Sequence, residues 1–301
     1  QWASRRADAD VRARVLAGEP PAALQGLLWH TALDGASLAA DDAAYRAVVA
    51  RVGQLREQVE WDLLGQFREQ NKQLCADLDV IEADVPRTFC ADGDGDGGEL
   101  RGTSAEELTA LLQALLLADS DGAAAAGSYL GYVQGISYAA AFVLGRAPPW
   151  QSYGCLRALC VRPALRRVLA LDPDAWEGLS ATVERLLGAQ QPETLATLRR
   201  LGIMVQMWLP EWLVPLWSRT LPPDLVALVW NLLLLDGDAA LVLRATLATL
   251  AAIAPALGRC RDIADGRRAL SQAPLALGRD EFVAALDGAR ADDADLAFAA
   301  Q

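Results

Sequence analysis

Residues 45–67 read YRAVVARVGQLREQVEWDLLGQF, and the spacing of their apolar side chains decides the fold class. Tyr45, Val48, Val49, Val52, Leu55, Val59, Leu63 and Phe67 recur at steps of three and four, the period of one face of a helix. Leu74, Leu78 and Ile81 resume that period, which predicts one long helix or two joined near Asn71. Composition points the same way, because alanine and leucine dominate and β-branched residues are sparse. The chain is expected to be all-α. With 301 residues, 53% of them hydrophobic, and nine tryptophans, it can bury a sizeable core as one large domain or two modest ones.

Charge excludes several functions. Lys and Arg number 27 against 39 Asp and Glu, a net charge of −12, so the clustered cations that neutralise phosphates are missing. Nucleic acid is not an expected partner, and neither is an anionic membrane surface. The five cysteines show no CxxC spacing, and the single His30 cannot complete a zinc site with them. They read as reduced thiols of a cytosolic protein. The pattern GxxxxGK[ST] is absent, so no nucleotide site of the chain's own is expected. No signal peptide is recognisable, and LVALVWNLLLL at 225–235 contains Asn231 and stops at Asp236, short of a spanning helix.

Beyond Ile81 the chain reads IEADVPRTFC at 81–90. Pro86 disfavours helix at Val85, so the helix is expected to end there and leave Arg87 at or just past its C-terminus. ADGDGDGGEL at 91–100 looks like a calcium loop, with Asp92, Asp94 and Asp96 at alternate positions and Gly97 following. The twelfth position is Thr103 rather than a bidentate Glu, so a solvated loop is the better reading. Ser104 and Glu107 form a capping box ahead of Leu108, Leu111, Leu112, Leu115 and Leu116. A second loop of small residues is expected from Asp119 to Gly127, followed by SYLGYVQGISYAAAFVLG at 128–145. There Gly131 and Gly135 bracket Gln134, which suits close backbone packing or the approach of a partner. From Met204 onward, apolar runs broken by prolines read as a stack of short buried helices. On the residues alone, Arg87 would be a surface ion pair with Asp84, and Gln134 an ordinary amide at a helix end. Trp29, Trp208, Trp212, Trp217 and Trp230 read as core, and His30 as structural.

IEADVPRT, followed about forty residues later by GYVQGIS, resembles the two signature motifs of the TBC domain, the Rab GTPase-activating family, in their usual forms IxxDxxRT and YxQG. GEPPAALQGLLWHTALDG at 18–35 resembles the family's entry motif with Gly26 and Trp29, and WLVPLWSRTLPPDLVALVWNLLLLDG at 212–237 resembles its later Trp-Asp segment. Four motifs in family order extend the likeness over roughly residues 14 to 255. The chain departs from the pattern at Gln25, where Arg is common, at Leu228, Val229, Trp230 and Asn231 in place of Arg-Ile-Trp-Asp, and at Cys90 in place of proline.

The resemblance implies one two-part helical domain over 1–301, with both motifs in an N-terminal half, 1–147, and a C-terminal half, 148–301. It implies an activator of a Rab-type GTPase, without turnover of its own, whose Arg87 and Gln134 act in trans from a shallow groove. Ile81, Asp84, Thr88, Tyr132 and Gly135 would support them: Asp84 by bracing Arg87 or capping backbone donors, Gly135 by admitting the partner, Tyr132 by packing beneath Gln134 or touching the GTPase. No cofactor of the chain's own is implied, since GTP and Mg belong to the partner, a Rab-family GTPase in its GTP form. The matching location is cytoplasmic, with recruitment to membranes through that partner. A non-catalytic module that binds the GTPase as scaffold or effector is the alternative. An unrelated helical hydrolase finds no nucleophile elbow, base or metal constellation to support it.

Overall fold

The computed structural model of the chain describes residues 13–15, 17–18, 21–32, 38–62, 64–90, 103–126, 131–160, 163–236, 239–292 and 294–296. No β-strand occurs among them, and the fold is all-helical as expected. Contacts divide the chain into two compact units, Pro21–Arg162 and Pro163–Gln301 together with Gln1–Pro20.

The first unit holds α1 (Ala22–Ala32), α2 (Leu38–Glu60), α3 (Gln66–Gln70), α4 (Lys72–Cys90), α5 (Ala105–Ala126), α6 (Ile136–Leu144) and α7 (Pro149–Cys160). Its centre is α5, which packs on α2, α4, α6 and α7 and buries Leu108, Leu111 and Leu112. The capping box starts this helix as expected: the Glu107 N–H donates to Ser104 Oγ at 3.1 Å, and the Ser104 N–H donates to Glu107 Oε2 at 3.3 Å. The periodic stretch, expected as one helix or two joined near Asn71, is three: it breaks between Glu60 and Gln66, where Gly65 takes a φ of 69° ahead of α3, and again at Asn71. Tyr45 and Val52 face the core while Trp61 and Leu64 are exposed at the break. At the entry motif, a Cβ on Gly26 would stand 2.6 Å from both Ala147 Cβ and Gln151 Oε1, so only glycine lets α1 approach α7 this closely. Trp29 beside it is fully buried. His30 finds partners that the sequence did not suggest: Asp41 Oδ2 lies 3.4 Å from its Nε2, and the Trp150 ring lies edge-on at 5.0 Å.

Two expectations are corrected. The helix carrying IEADVPRTFC does not stop at Val85 but runs through Pro86 to Cys90. A proline inside a helix removes one N–H and crowds the carbonyl four residues back, at a cost of about 3 kcal/mol. Here Glu82, Ala83 and Pro86 are on the solvent side, while Ile81, Val85 and Thr88 are buried. Burying Ile81 and Val85 contributes about 1.5–3 kcal/mol each, which offsets the defect. The second correction concerns Asp119 to Ala126, expected as a loop and found as the last turns of α5. Four consecutive alanines carry the best helix propensity and extend a helix already nucleated and packed. Of the calcium-like stretch, 92–103, all but Thr103 lies outside the described residues.

The second unit contains α8 (Pro163–Leu169), α9 (Pro173–Gln190), α10 (Pro192–Arg200), α11 (Leu209–Leu213), α12 (Pro223–Asp236), α13 (Leu241–Gly258), α14 (Ile263–Gln272) and α15 (Arg279–Gly288). Asp172 caps α9 by accepting from the Ala175 N–H at 2.9 Å. The long α13 is the hub, packed by α9, α10, α12, α14 and α15. By length and composition it is the described helix that could cross a membrane, yet 61% of it is buried inside the unit. The expectation that no run is long and apolar enough to span is corrected at this helix, whose burial is that of a core element. Trp208, Trp212, Trp217 and Trp230 are all buried, as expected. Two indoles donate to backbone carbonyls, Trp212 to Leu270 at 3.2 Å and Trp230 to Leu216 at 3.0 Å. Cys75, Cys155 and Cys260 are buried free thiols, in keeping with the reduced state read from the sequence.

Candidate functional site

The two motifs meet where the last turns of α4 approach the start of α6. On α4 the helical period divides the motif between faces: Ile81, Asp84 and Thr88 point inward, and Arg87 outward. Ile81 is fully buried and anchors the helix by packing alone.

Asp84 is the junction. It is 5% exposed, and its Oδ2 accepts from the Tyr132 hydroxyl at 2.6 Å, the Gly135 N–H at 3.3 Å and the Ser137 hydroxyl at 3.4 Å. A buried carboxylate without a cation is tolerable only when neutral donors surround it, and these three do so. The expected brace between Asp84 and Arg87 is not what forms: the carboxylate turns inward, and capping of a backbone donor, at Gly135, is its role. Burial first, then the Asp84 carboxylate, pushes the Tyr132 hydroxyl well above its usual pKa, so Tyr132 stays protonated and donates. Tyr132 is half-buried against Asp84.

Gly135 has φ 102° and ψ −15°, a left-handed conformation that glycine adopts without penalty, and it caps α6 while its N–H turns back to Asp84. Gln134, just before it, is exposed. Neither the Arg87 guanidinium nor the Gln134 amide has an ion pair or side-chain hydrogen bond among the described residues, although both adjoin a fully bonded core. The surface ion pair that the bare residues suggested for Arg87 does not form.

Two residues absent from the motif reading complete the junction. Ser137, with no exposure, sits 2.8 Å from the Thr88 hydroxyl, which also lies 3.1 Å from the Asp84 carbonyl. The Tyr138 hydroxyl donates to the Arg87 carbonyl at 3.5 Å, the limit of a hydrogen bond. That carbonyl is one of the four left without a helical partner at the end of α4. The signal for both was present as hydroxyls in an apolar helix, but nothing local names their partners. Among the described residues no group of His, Cys, Asp or Glu is arranged to hold a metal ion.

Of the departures, Gln25 is buried with its Oε1 unpartnered among the described residues, and Leu228, Val229 and Asn231 are buried around the retained Trp230. The Cys90 side chain lies outside the described residues.

Known proteins show the same architecture. The Chlamydomonas flagellar RabGAP TBC domain superposes with a TM-score of 0.66 over 93% of this chain and 84% of its own, at 16% identity. The Ypt/Rab-GAP domain of Gyp1p gives 0.63 over 93% and 90%, at 13% identity. At such identities the likeness is one of fold. In sequence, TBC1 domain family member 14 of Mus musculus is 25% identical over 214 residues, 70% of this chain and 28% of that protein. Carabin of Mus musculus is 29% identical over 107 residues, 36% of this chain and 24% of its own. The chain thus spans about a quarter of the length of these relatives. The profile of the Rab-GTPase-TBC domain matches residues 29–257, which include all of α4 and the whole turn around Gln134. With most of its length matched and both motifs joined at Asp84, this chain belongs to the Rab-GTPase-TBC domain family.

Proposed function

We propose that this chain stimulates GTP hydrolysis by a Rab-type small GTPase, supplying Arg87 and Gln134 in trans. The supporting observation is that both side chains stand exposed and unengaged on backbone held from below by Asp84 and its donors. An exposed arginine and glutamine with no side-chain partner among the described residues, at the positions of both family motifs, suit contact with another molecule. The chemistry suits them. Hydrolysis spreads negative charge over the transferred phosphoryl group and the leaving oxygen, and a guanidinium beside them, always protonated and forked, stabilises that charge. An amide accepts from the attacking water while donating to a phosphate oxygen. GTP and its Mg belong to the partner, and the chain turns over nothing of its own. It acts in the cytoplasm, brought to membranes by the GTP form of its partner.

The test is phosphate release from a panel of purified GTP-loaded Rab proteins, in single turnover, with and without this chain. Stimulation of at least one is expected. Arg87→Ala is expected to lose about 10³ to 10⁵ of it, and Arg87→Lys to recover little. A responsive Rab whose own catalytic glutamine is changed to alanine should still be stimulated by the wild-type chain, whereas Gln134→Ala stimulates neither form. Full activity of Gln134→Ala on the unmodified Rab removes the glutamine from the mechanism. Binding of a GTP-loaded Rab without stimulation across the panel replaces this reading with the scaffold one.

A further inference from the structure

We propose that Ser137, acting through Thr88, is a positioning residue for this activation: the buried hydroxyl pair fixes the turn that carries Gln134 against the helix that carries Arg87. The inference rests on the proposed function and extends it to a residue outside both motifs. Thr88 directly follows Arg87, Ser137 lies three residues after Gln134, and their oxygens meet at 2.8 Å with 1% and 0% exposure.

Each hydroxyl carries one hydrogen, so the bonding can be counted. When Thr88 donates to the Asp84 carbonyl at 3.1 Å, Ser137 donates to Thr88, and Asp84 Oδ2 keeps Tyr132 and Gly135. When Thr88 donates to Ser137, Ser137 donates to Asp84 Oδ2 at 3.4 Å. Both arrangements leave every donor satisfied, and in both the pair ties α4 to α6. Around Ser137 the helix buries Ile136, Ala139, Ala140, Ala141 and Val143, so an alanine there would match its surroundings and avoid desolvating a hydroxyl. What alanine cannot supply is direction. Apolar contacts let two helix ends slide by fractions of an ångström, whereas a hydrogen bond of this length fixes separation and angle. Misplacing a reacting group by about 1 Å can cost on the order of 10² in rate.

The measurement is single-turnover hydrolysis by a responsive Rab, titrated with excess activator, giving a plateau rate and a half-saturating concentration. Ser137→Ala and Thr88→Val, the second keeping shape while losing the hydroxyl, are each expected to lower the plateau by about 10- to 100-fold, with half-saturation within about twofold. Thr88→Ser keeps the hydroxyl and should restore most of the plateau. The double variant should be little worse than either single one, because both remove the same link. A purely structural role gives another pattern: an unfolded fraction raises the half-saturating concentration and leaves the plateau in place. That pattern, or plateaus within about twofold of wild type for Ser137→Ala and Thr88→Val while Arg87→Ala is inactive, overturns this inference alone. If Ser137→Ala fails to fold, Thr88→Val with its Thr88→Ser rescue decides the question. A wild-type chain that stimulates no Rab overturns the functional reading and this one with it.

Discussion

Asp84 Oδ2 is within reach of three neutral donors and has no cation paired with it among the described residues, so its contribution is directional rather than a charge pairing. Asp84→Ala leaves the Tyr132 hydroxyl and the Gly135 N–H without their acceptor, each at about 1–3 kcal/mol where buried. The variant is expected to unfold at clearly lower denaturant than wild type and to lose stimulation, as the turn before Gln134 is released. Arg87→Ala, by contrast, removes an exposed side chain without partners among the described residues and should leave the midpoint nearly unchanged. Chemical denaturation of both variants side by side checks this. Similar midpoints would mean that Asp84 is not the latch.

At the scale of elements, α4 shows how a helix accommodates a breaker. Pro86 faces solvent and the buried stripe of Ile81, Val85 and Thr88 is intact, so packing holds what local preference would end. Pro86→Ala returns an N–H to the Glu82 carbonyl and relieves the ring contact, and should stabilise the chain by about 1–3 kcal/mol, read as a higher thermal midpoint. An unchanged or lower midpoint would mean that the helix is shaped around the proline. The break at Gly65 is of another kind. There φ is 69° and Asp62 Oδ2 accepts from the Arg68 N–H at 2.8 Å, so the turn is specified by its own residues.

Over the whole molecule the cores are dry enough to silence thiols. Burial pushes the Cys155 thiol up to about 12 and moves Cys75 and Cys260 upward as well, so little thiolate exists near neutral pH. With iodoacetamide at pH 8, Cys160, half-buried, is expected to label first of the four described thiols in the native protein, and Cys155 only as fast as the chain opens. Mass mapping of native and denatured samples reads this. Prompt labelling of Cys155 in the native state would contradict the packing of α7. Circular dichroism of the same sample should show helix without a sheet component.

What the sequence determined by itself is what short-range forces decide. The three-and-four spacing set the helical class, Ser104 and Glu107 started α5, and the five tryptophans announced the cores, while the two motifs supply the proposal of Arg87 and Gln134. These follow from residues within a turn or two of each other, or from a pattern preserved along the chain. The tertiary structure alone decided that α4 survives Pro86, that α5 runs on to Ala126, and that His30 meets Asp41 and Trp150. It alone turned Asp84 away from Arg87, three residues on, toward Tyr132 and Gly135, 48 and 51 residues on, and placed Ser137 against Thr88 across 49. The physical reason is that a buried polar atom takes whichever donor the packing brings within reach, and packing is settled by the summed burial of many side chains rather than by neighbours in sequence.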